Sequence, residues 1–327
     1  MLTQSRDIYR VLTKDGEKLA KVSGKFSYEA SENIDYPAVG DFVLLADGGA
    51  DEGVILSVLP RASLFLRTAA GTAHEAQAVA ANIDTCFITM SLNQDFNVRR
   101  LERYLTIAWD SGAVPVVVLT KSDIADDAGQ RVAEAENAAL GVDVVVTSAK
   151  QGEGMDALAP YLKPGKTVAF LGSSGVGKST LINALLGEAR IKTAEIREDD
   201  DKGRHTTTTR NLIYLENGSA VIDTPGMREV GIESGDTGHS FADIEALATE
   251  CRFSDCQHDT EPGCAVKAAI DSGALDAKRL ESYNKLKAEM SYDGLSARER
   301  ETTKLNRMMA EVGGMKGYRR AIKKEKT

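Results

Sequence analysis

The chain has 327 residues, 42% of them hydrophobic, and carries a formal net charge of −9 at pH 7. This length predicts about two or three domains with ordinary cores, and a chain this acidic is not expected to bind nucleic acid indiscriminately. We see no apolar run long enough to span a bilayer and no secretory signal. We therefore expect a soluble, cytoplasmic protein with no membrane partner.

The charge is distributed unevenly along the chain. Residues 297–327 contain ten lysines and arginines against four acidic residues, so this tail carries +6 and the remainder carries −15. A basic tail on an acidic body indicates a localised anionic partner, for which RNA is the leading candidate. A solvated terminus without a partner would have the same composition.

Residues 1–68 alternate short apolar runs with turn residues. Candidate strands cover 7–11, 40–45 and 53–59, and Asp47-Gly48-Gly49 is a turn between the last two. Several short strands in so small a segment predict a small, OB-like β-barrel as the first domain. Many such barrels bind RNA, but that is an analogy at the level of the fold.

Residues 69–232 have a different pattern, which predicts a second domain of α/β class. Valine-rich runs alternate there with two helical patterns, at 99–109 and 130–140. This alternation predicts a parallel, doubly wound sheet. The candidate strands are 83–90, 114–119, 142–147, 167–171, 211–216 and 219–223.

A glycine-rich turn follows the strand at 167–171 and precedes a helical pattern. It reads Gly172-Ser173-Ser174-Gly175-Val176-Gly177-Lys178-Ser179-Thr180. Strand, glycine-rich turn and helix predict a phosphate-binding loop, in which backbone N–H groups and the helix N-terminus surround a polyphosphate. Lys178 is predicted to reach the terminal phosphates and Ser179 to bind Mg²⁺. A glycine-rich turn without a ligand is the simpler alternative.

Two short motifs after neighbouring strands predict guanine recognition. In Thr120-Lys121-Ser122-Asp123, the aspartate can accept hydrogen bonds from guanine N1–H and N2–H₂, a donor pair that adenine lacks. In Ser148-Ala149-Lys150, a backbone N–H is predicted to meet the guanine O6 atom. Such sheets bind ligands at the ends of consecutive strands, so the two motifs together favour GTP over ATP.

Two further segments are predicted to respond to the γ-phosphate. Asp223-Thr224-Pro225-Gly226 ends a strand, so Asp223 would hold Mg²⁺ and the Gly226 N–H would meet the γ-phosphate. Residues 199–210 form a polar loop with four threonines, one of which would complete the Mg²⁺ shell and order the loop. We favour Thr207, although the sequence does not decide among the four.

The order of these motifs is informative. A Ras-like GTPase has the phosphate loop first and the guanine motifs last, whereas this chain reverses the two halves. Such a circular permutation is tolerated when the old termini lie close together. It connects the Asp223–Gly226 segment directly to the C-terminal region. We therefore expect loss of the γ-phosphate to release or move that region.

Residues 233–327 are predicted to form a helical third domain with a metal site. Cys251, Cys256, His258 and Cys264 supply three thiolates and an imidazole, a set that suits structural, tetrahedral Zn²⁺ with no open position. Buried cysteines beside an unrelated histidine are the alternative. Helical patterns follow at 280–290 and 305–312.

The permuted order, the Gly203-Arg204-His205-Thr206-Thr207 segment and the Cys-x4-Cys-x-His-x5-Cys spacing together resemble the RsgA/YjeQ family of small-ribosomal-subunit biogenesis GTPases. The resemblance covers nearly the whole chain. It implies an oligonucleotide-binding barrel, a permuted GTPase domain and a zinc domain. It also implies GTP hydrolysis stimulated by the small subunit late in its maturation. The expected partners are that subunit and its rRNA, not DNA, and we expect a monomer.

Thr120 and Met227 each change what we expect of the nucleotide site. The family usually has asparagine where this chain has Thr120, which lowers the expected guanine affinity. Met227 occupies the place of the water-orienting glutamine of Ras-like enzymes and cannot orient water, so basal hydrolysis is expected to be slow. His205 is the candidate to orient the water, and the resemblance favours it as the catalytic residue. The alternative is that it contacts only RNA or solvent.

The sequence thus predicts a GTPase that times its own release from the small ribosomal subunit. The alternative is a GTP-regulated RNA-binding or metal-handling adaptor with incidental turnover. An ATPase is a third possibility, which the Asp123 argument disfavours.

Overall fold

The computed structural model describes residues 1–5, 7–49, 52–68, 76–187, 211–223 and 238–290. The strands are β1 (Thr3–Ser5), β2 (Ile8–Thr13), β3 (Gly16–Val22), β4 (Val43–Asp47), β5 (Glu52–Val58), β6 (Leu64–Thr68), β7 (Ala76–Ala81), β8 (Thr85–Ser91), β9 (Val114–Thr120), β10 (Val144–Val146), β11 (Thr167–Leu171), β12 (Asn211–Tyr214) and β13 (Ala220–Asp223). The helices are α1 (Gly24–Glu29), α2 (Val98–Asp110), α3 (Ala128–Ala138), α4 (Lys178–Leu186), α5 (Ala242–Ala248), α6 (Ala265–Asp271) and α7 (Ala277–Met290).

The predicted parallel sheet is confirmed. Its strands run in the order β10-β9-β8-β11-β13, each parallel to its neighbour. These strands are rich in valine and isoleucine because helices cover both faces of the sheet, and the apolar side chains pack in a separate core on each face. Parallel pairing brings the carboxyl ends of all five strands to one edge, where such sheets bind ligands.

The N-terminal residues form a strand-rich unit, as predicted. Strands β2, β3, β5 and β4 are hydrogen-bonded in that order around a small core of Tyr9, Val11, Ala20 and Ile55. The sequence missed β3, whose alternation of polar and apolar residues is irregular. Buried Asp41 accepts two hydrogen bonds from Arg61, which joins the segment before β4 to the one after β5.

One short strand pairing connects this unit to the sheet that contains the five parallel strands, which we call the nucleotide sheet. Thr3 of β1 lies opposite Asn211 of β12, and the Leu212 N–H donates to the Leu2 carbonyl at 2.9 Å. Asn211 in turn lies opposite Asp223 of β13. The N-terminal strands and the parallel strands therefore belong to one 11-stranded sheet.

The domain boundaries stay a prediction. Strands β6 and β7 pair with each other in a separate two-stranded sheet on either side of the boundary predicted after residue 68. Residues 69–75 and 224–237, where the divisions between 1–68, 69–232 and 233–327 fall, lie outside the described residues. None of the helices in the described part of the chain is long and apolar enough to cross a membrane.

The C-terminal helices pack directly on α2. Leu101 and Leu105 of α2 share one apolar core with Phe241, Ile244 and Tyr283 from the C-terminal segment. These side chains are almost completely buried. Helix α2 therefore connects the parallel strands to the C-terminal helices through one apolar core.

A buried cluster of charges fixes this contact. Arg279 of α7 donates to Glu102 of α2 at 3.0 Å and to both carboxylate oxygens of Asp243 at 2.6 and 2.9 Å. The Arg279 and Glu102 side chains are only 10% and 4% exposed. Burial raises the pKa of the Glu102 carboxyl above its ordinary value, and a hydrogen bond with Ser282 and the Arg279 charge offset only part of this rise. The ionised carboxylate is therefore stabilised by both partners, of which only Arg279 carries a compensating charge.

We expect Arg279→Met to lower the unfolding free energy by about 3–5 kcal/mol, because it leaves the Glu102 charge buried and unpaired. Arg99→Met is the matched control. It breaks the Arg99–Glu281 pair between the same two helices, which is half exposed, so the loss should stay below about 1 kcal/mol. Urea unfolding of both variants checks this, and equal losses would contradict it.

Candidate functional site

The predicted phosphate-binding loop lies between β11 and α4, as the sequence indicates. Gly172 passes so close to β8 that a Cβ atom there would overlap the Thr89 carbonyl oxygen, so the position requires glycine. Gly177 precedes α4 at a positive φ of 102°. The Lys178 ammonium lies over the loop and donates to the carbonyls of Gly172 and Ser173 at 2.7 and 2.6 Å. The loop can thus bring a cation and a helix N-terminus to one anion.

The first guanine motif lies directly against this loop. Lys121 has a left-handed backbone, with φ of 60°, and its ammonium donates to the Gly175 carbonyl at 2.7 Å. The Thr120 hydroxyl donates to the Val176 carbonyl at 2.5 Å. Two consecutive side chains at the end of β9 therefore contact two consecutive carbonyls of the phosphate-binding loop. Ser122 follows in a short 3-10 turn and is half-buried.

The two guanine motifs contact each other. The Ser148 hydroxyl, in the turn after β10, donates to the Asp123 carboxylate at 2.7 Å. Ser148 is buried, Asp123 and Ala149 are half-buried, and Lys150 is exposed. The turn is closed by reciprocal backbone hydrogen bonds between Ser148 and Glu153, both 3.0 Å long. Its backbone is thereby held beside the Asp123 carboxylate.

The predicted magnesium ligands are placed in part. Ser179 is half-buried in the first turn of α4, and Thr180 beside it is exposed. Asp223 is the last residue of β13, which pairs with β11. His205, Thr207 and Gly226 lie outside the described residues, as does Met227.

The structure thus brings the sequence-predicted residues that it describes to one edge of the sheet. Asp123 and Lys178 belong to loops that contact each other, although 54 residues separate Lys121 from Gly175 along the chain. A carboxylate at one end and, at the other, the Lys178 ammonium beside a glycine-rich turn and a helix N-terminus suit a guanine nucleotide whose phosphates lie on the loop.

Sequence reasoning missed Tyr104 as a residue of this site. Its hydroxyl lies 3.4 Å from the Ser173 hydroxyl, and the side chain is buried. The sequence shows Tyr104 only as an apolar position in a helical pattern, which predicts packing and not contact with a loop about 70 residues later. The contact shows that α2 joins the phosphate-binding loop to the C-terminal helices.

The predicted metal ligands also come together. The ligand atoms of Cys251, Cys256, His258 and Cys264 all lie within 4.8 Å of one another. The Cys251 and Cys264 sulfurs are 3.9 Å apart, and they lie 3.7 and 3.4 Å from the His258 Nδ1 atom. A tetrahedral zinc with its usual bond lengths would separate two sulfurs by roughly 3.8 Å. Three thiols and an imidazole at these spacings fit a closed, structural zinc site.

Two features of the local backbone hold this ligand set. Glu261 accepts hydrogen bonds from the backbone N–H groups of Gln257, Asp259 and Thr260, which lowers the pKa of its carboxyl to about 2. Cys264 is the N-cap of α6, where its sulfur accepts from the Lys267 N–H at 3.4 Å. Burial also lowers the pKa of His258, which favours the neutral imidazole that binds metals.

Comparisons with known proteins agree with this geometry. The sequence model of a family described as RsgA GTPase matches residues 58–233. A model described as ABC transporter matches residues 155–312, a range that includes the phosphate-binding loop.

Curated relatives match over most of the chain. A protein of Lactiplantibacillus plantarum named small ribosomal subunit biogenesis GTPase RsgA 2 is 52% identical over 97% of this chain and 90% of its own length. A protein of Listeria innocua named small ribosomal subunit biogenesis GTPase RsgA 1 is 49% identical over 88% of this chain and 82% of its own length.

Solved structures match as well. YjeQ from Thermotoga maritima superimposes with a TM-score of 0.66 at 31% identity, over 88% of this chain and 96% of that one. YloQ, described as a circularly permuted GTPase, gives a TM-score of 0.60 at 26% identity, over 89% of this chain and 93% of that one.

Proposed function

The chain belongs to the RsgA family of small ribosomal subunit biogenesis GTPases, and from this premise we propose that it binds the small subunit with GTP and leaves it after hydrolysis. The chain is a GTP hydrolase. The assignment of GTP is supported by the hydrogen bond between Ser148 and Asp123 beside the phosphate-binding loop. A carboxylate that is already held in position discriminates strongly against a base that lacks the matching hydrogen-bond donors.

We assign the nucleotide contacts as follows. Asp123 reads the guanine N1–H and N2–H₂ groups, with Lys121 and Ser122 beside it, and the turn at 148–150 reads O6. Residues 172–180 hold the phosphates. Magnesium, when bound, neutralises the developing phosphate charge, and Ser179, Thr207 and Asp223 are its proposed ligands. The Gly226 N–H meets the γ-phosphate.

We infer that the metal site holds one structural zinc ion. The Cys₃His set with short ligand spacings supports zinc, and four protein ligands fill a tetrahedral shell, which leaves no open position for a catalytic water. The four ligands lie between α5 and the start of α6, whose Ile244 and Val266 side chains belong to the core shared with α2 and α7, so the metal would stabilise the C-terminal segment.

The partner surfaces are proposed from charge and fold. The basic stretch at 297–327 and the strand-rich N-terminal unit are the proposed contacts with rRNA of the small subunit. Because the small subunit is assembled in the cytoplasm, we propose that the chain acts there and that it is a monomer. The GTP-regulated adaptor with incidental turnover makes the same contacts, so only turnover on the subunit distinguishes the two.

Purified small ribosomal subunits should accelerate GTP hydrolysis roughly tenfold or more, because Met227 cannot replace the water-orienting glutamine of Ras-like enzymes and another group must be brought into position on the subunit. Steady-state phosphate release with and without subunits measures this. Ser179→Ala, which removes a proposed magnesium ligand, should abolish the stimulated rate. Unchanged turnover on adding subunits would favour the adaptor.

His205→Ala should lower the stimulated kcat roughly 100-fold while GTP affinity stays near that of the wild type, because a water-orienting group acts in the transition state. His74→Ala is the control, since that histidine belongs to none of the motifs. Single-turnover assays on the subunit separate the chemical step from release. Equal stimulated rates in mutant and wild type would exclude His205 from the mechanism.

Elemental analysis of the native protein should find one zinc per chain. Removing it with a chelator should lower the thermal unfolding temperature, since the four ligands would no longer hold the loop from 251 to 264, and added zinc should restore it. Native, correctly folded protein without zinc would refute this assignment.

A further inference from the structure

Helix α2 contacts the phosphate-binding loop at a buried point. The Tyr104 hydroxyl lies 3.4 Å from the Ser173 hydroxyl, and both residues are only 5% exposed. Ser173 is also one of the two residues whose carbonyls accept hydrogen bonds from the Lys178 ammonium, in its case at 2.6 Å. Tyr104 therefore contacts a residue that positions Lys178, which is the side chain proposed to reach the phosphates.

The same helix is attached to the C-terminal segment. Glu102, two residues before Tyr104, accepts a hydrogen bond from Arg279 of α7 at 3.0 Å. The Tyr104 side chain also belongs to the apolar core that contains Phe241 and Tyr283 of the C-terminal segment. An α-helix is stiff because each turn is hydrogen-bonded to the next. The loop and the C-terminal helices are therefore attached to one stiff element, at points less than one helical turn apart.

Helix α2 thereby offers a second route between the nucleotide and the C-terminal helices. The first route is the one expected through the Asp223–Gly226 segment, and it requires the γ-phosphate, since that is the group which the Gly226 N–H is proposed to meet. The route through Tyr104 begins at the loop that is proposed to hold all the phosphates. It should therefore respond to GDP as well as to GTP.

We propose that Tyr104 is a positioning residue that couples occupancy of the phosphate-binding loop to docking of the C-terminal helices on α2. This inference rests on the proposed GTP site and adds to it a response that needs no γ-phosphate. A bound nucleotide fixes Ser173 and with it Tyr104, which keeps Glu102 facing Arg279. Coupling between two sites is reciprocal, so loosening the contact of α7 with α2 must weaken nucleotide binding.

The test is a double-mutant cycle on the affinity of the full chain for GDP. Tyr104→Phe removes only the hydroxyl and should weaken GDP binding about fivefold. Arg279→Lys keeps the charge but loses the forked contacts with Glu102 and Asp243, and it should weaken GDP binding about threefold although it lies outside the nucleotide site. The double variant should bind within about 1.5-fold of Tyr104→Phe, because the second change acts through the first.

Matched variants control this cycle. Tyr161→Phe removes a hydroxyl that donates to Asp143 at 2.5 Å beside the core on the other face of the sheet, and it should leave GDP affinity unchanged. Glu102→Gln serves in place of Arg279→Lys if that variant unfolds, since glutamine keeps the shape of the side chain and loses its charge. Thermal unfolding without nucleotide establishes which variants are folded.

Hydrogen exchange shows where the response to GDP occurs. GDP should slow exchange of the backbone amides of α7 at least about threefold in the wild type, and Tyr104→Phe should lose most of this protection. GDP is supplied at the same multiple of its dissociation constant for each protein, so that the stabilisation due to binding alone is equal in the two.

The results that would contradict the coupling are distinct from those that would contradict the proposed function. Multiplying losses in the double variant, or an unchanged GDP affinity of Tyr104→Phe, would overturn the inference and leave the proposed function standing. Equal protection of α7 by GDP in the wild type and in Tyr104→Phe would also overturn it. A wild-type chain that binds neither GDP nor GTP would overturn the proposed function together with this inference.

Discussion

The site depends on the contact between the guanine motif and the phosphate-binding loop. Each is a short turn with little structure of its own, and each is held by the other through the Thr120 and Lys121 hydrogen bonds to carbonyls of the loop. The intervening strand β8 fixes the spacing, since it pairs with β9 on one side and β11 on the other. The reversed order of the motifs along the chain therefore does not alter the arrangement of the site. The loops that meet are determined by which strands are neighbours in the sheet and not by their order in the chain.

Helix α2 connects this site to the C-terminal helices. Tyr104 touches the phosphate-binding loop, while Glu102, two residues earlier, is paired with Arg279 of α7. Both sides of the helix are thus in contact, and the C-terminal helices share its apolar core. If loss of the γ-phosphate releases the C-terminal region, this contact opposes the release. Separation of the C-terminal helices from α2 would expose apolar side chains and a buried charge to water.

Much of the fold and the site followed from local patterns. The doubly wound sheet, the phosphate-binding loop and the Cys₃His set each have a signature in contiguous residues, so hydrophobic period and motif spacing suffice to predict them. The contacts of Tyr104, Arg279 and Thr120 could not be predicted, because each depends on a partner distant in the chain. Thr120 was expected to bind GTP within the guanine motif, with a lower affinity than asparagine, and the structure adds that its buried hydroxyl contacts the Val176 carbonyl.

The pairing of β1 with β12 has a consequence for solubility. Beyond β12 the nucleotide sheet would end in a strand with unpaired N–H and C=O groups, which is a template for aggregation. The three residues of β1 cover part of that edge, and Leu2 accepts from it directly. The N-terminal unit therefore covers part of the edge of the nucleotide sheet. A fragment that begins after residue 68 would expose the unpaired backbone groups of β12 to solvent.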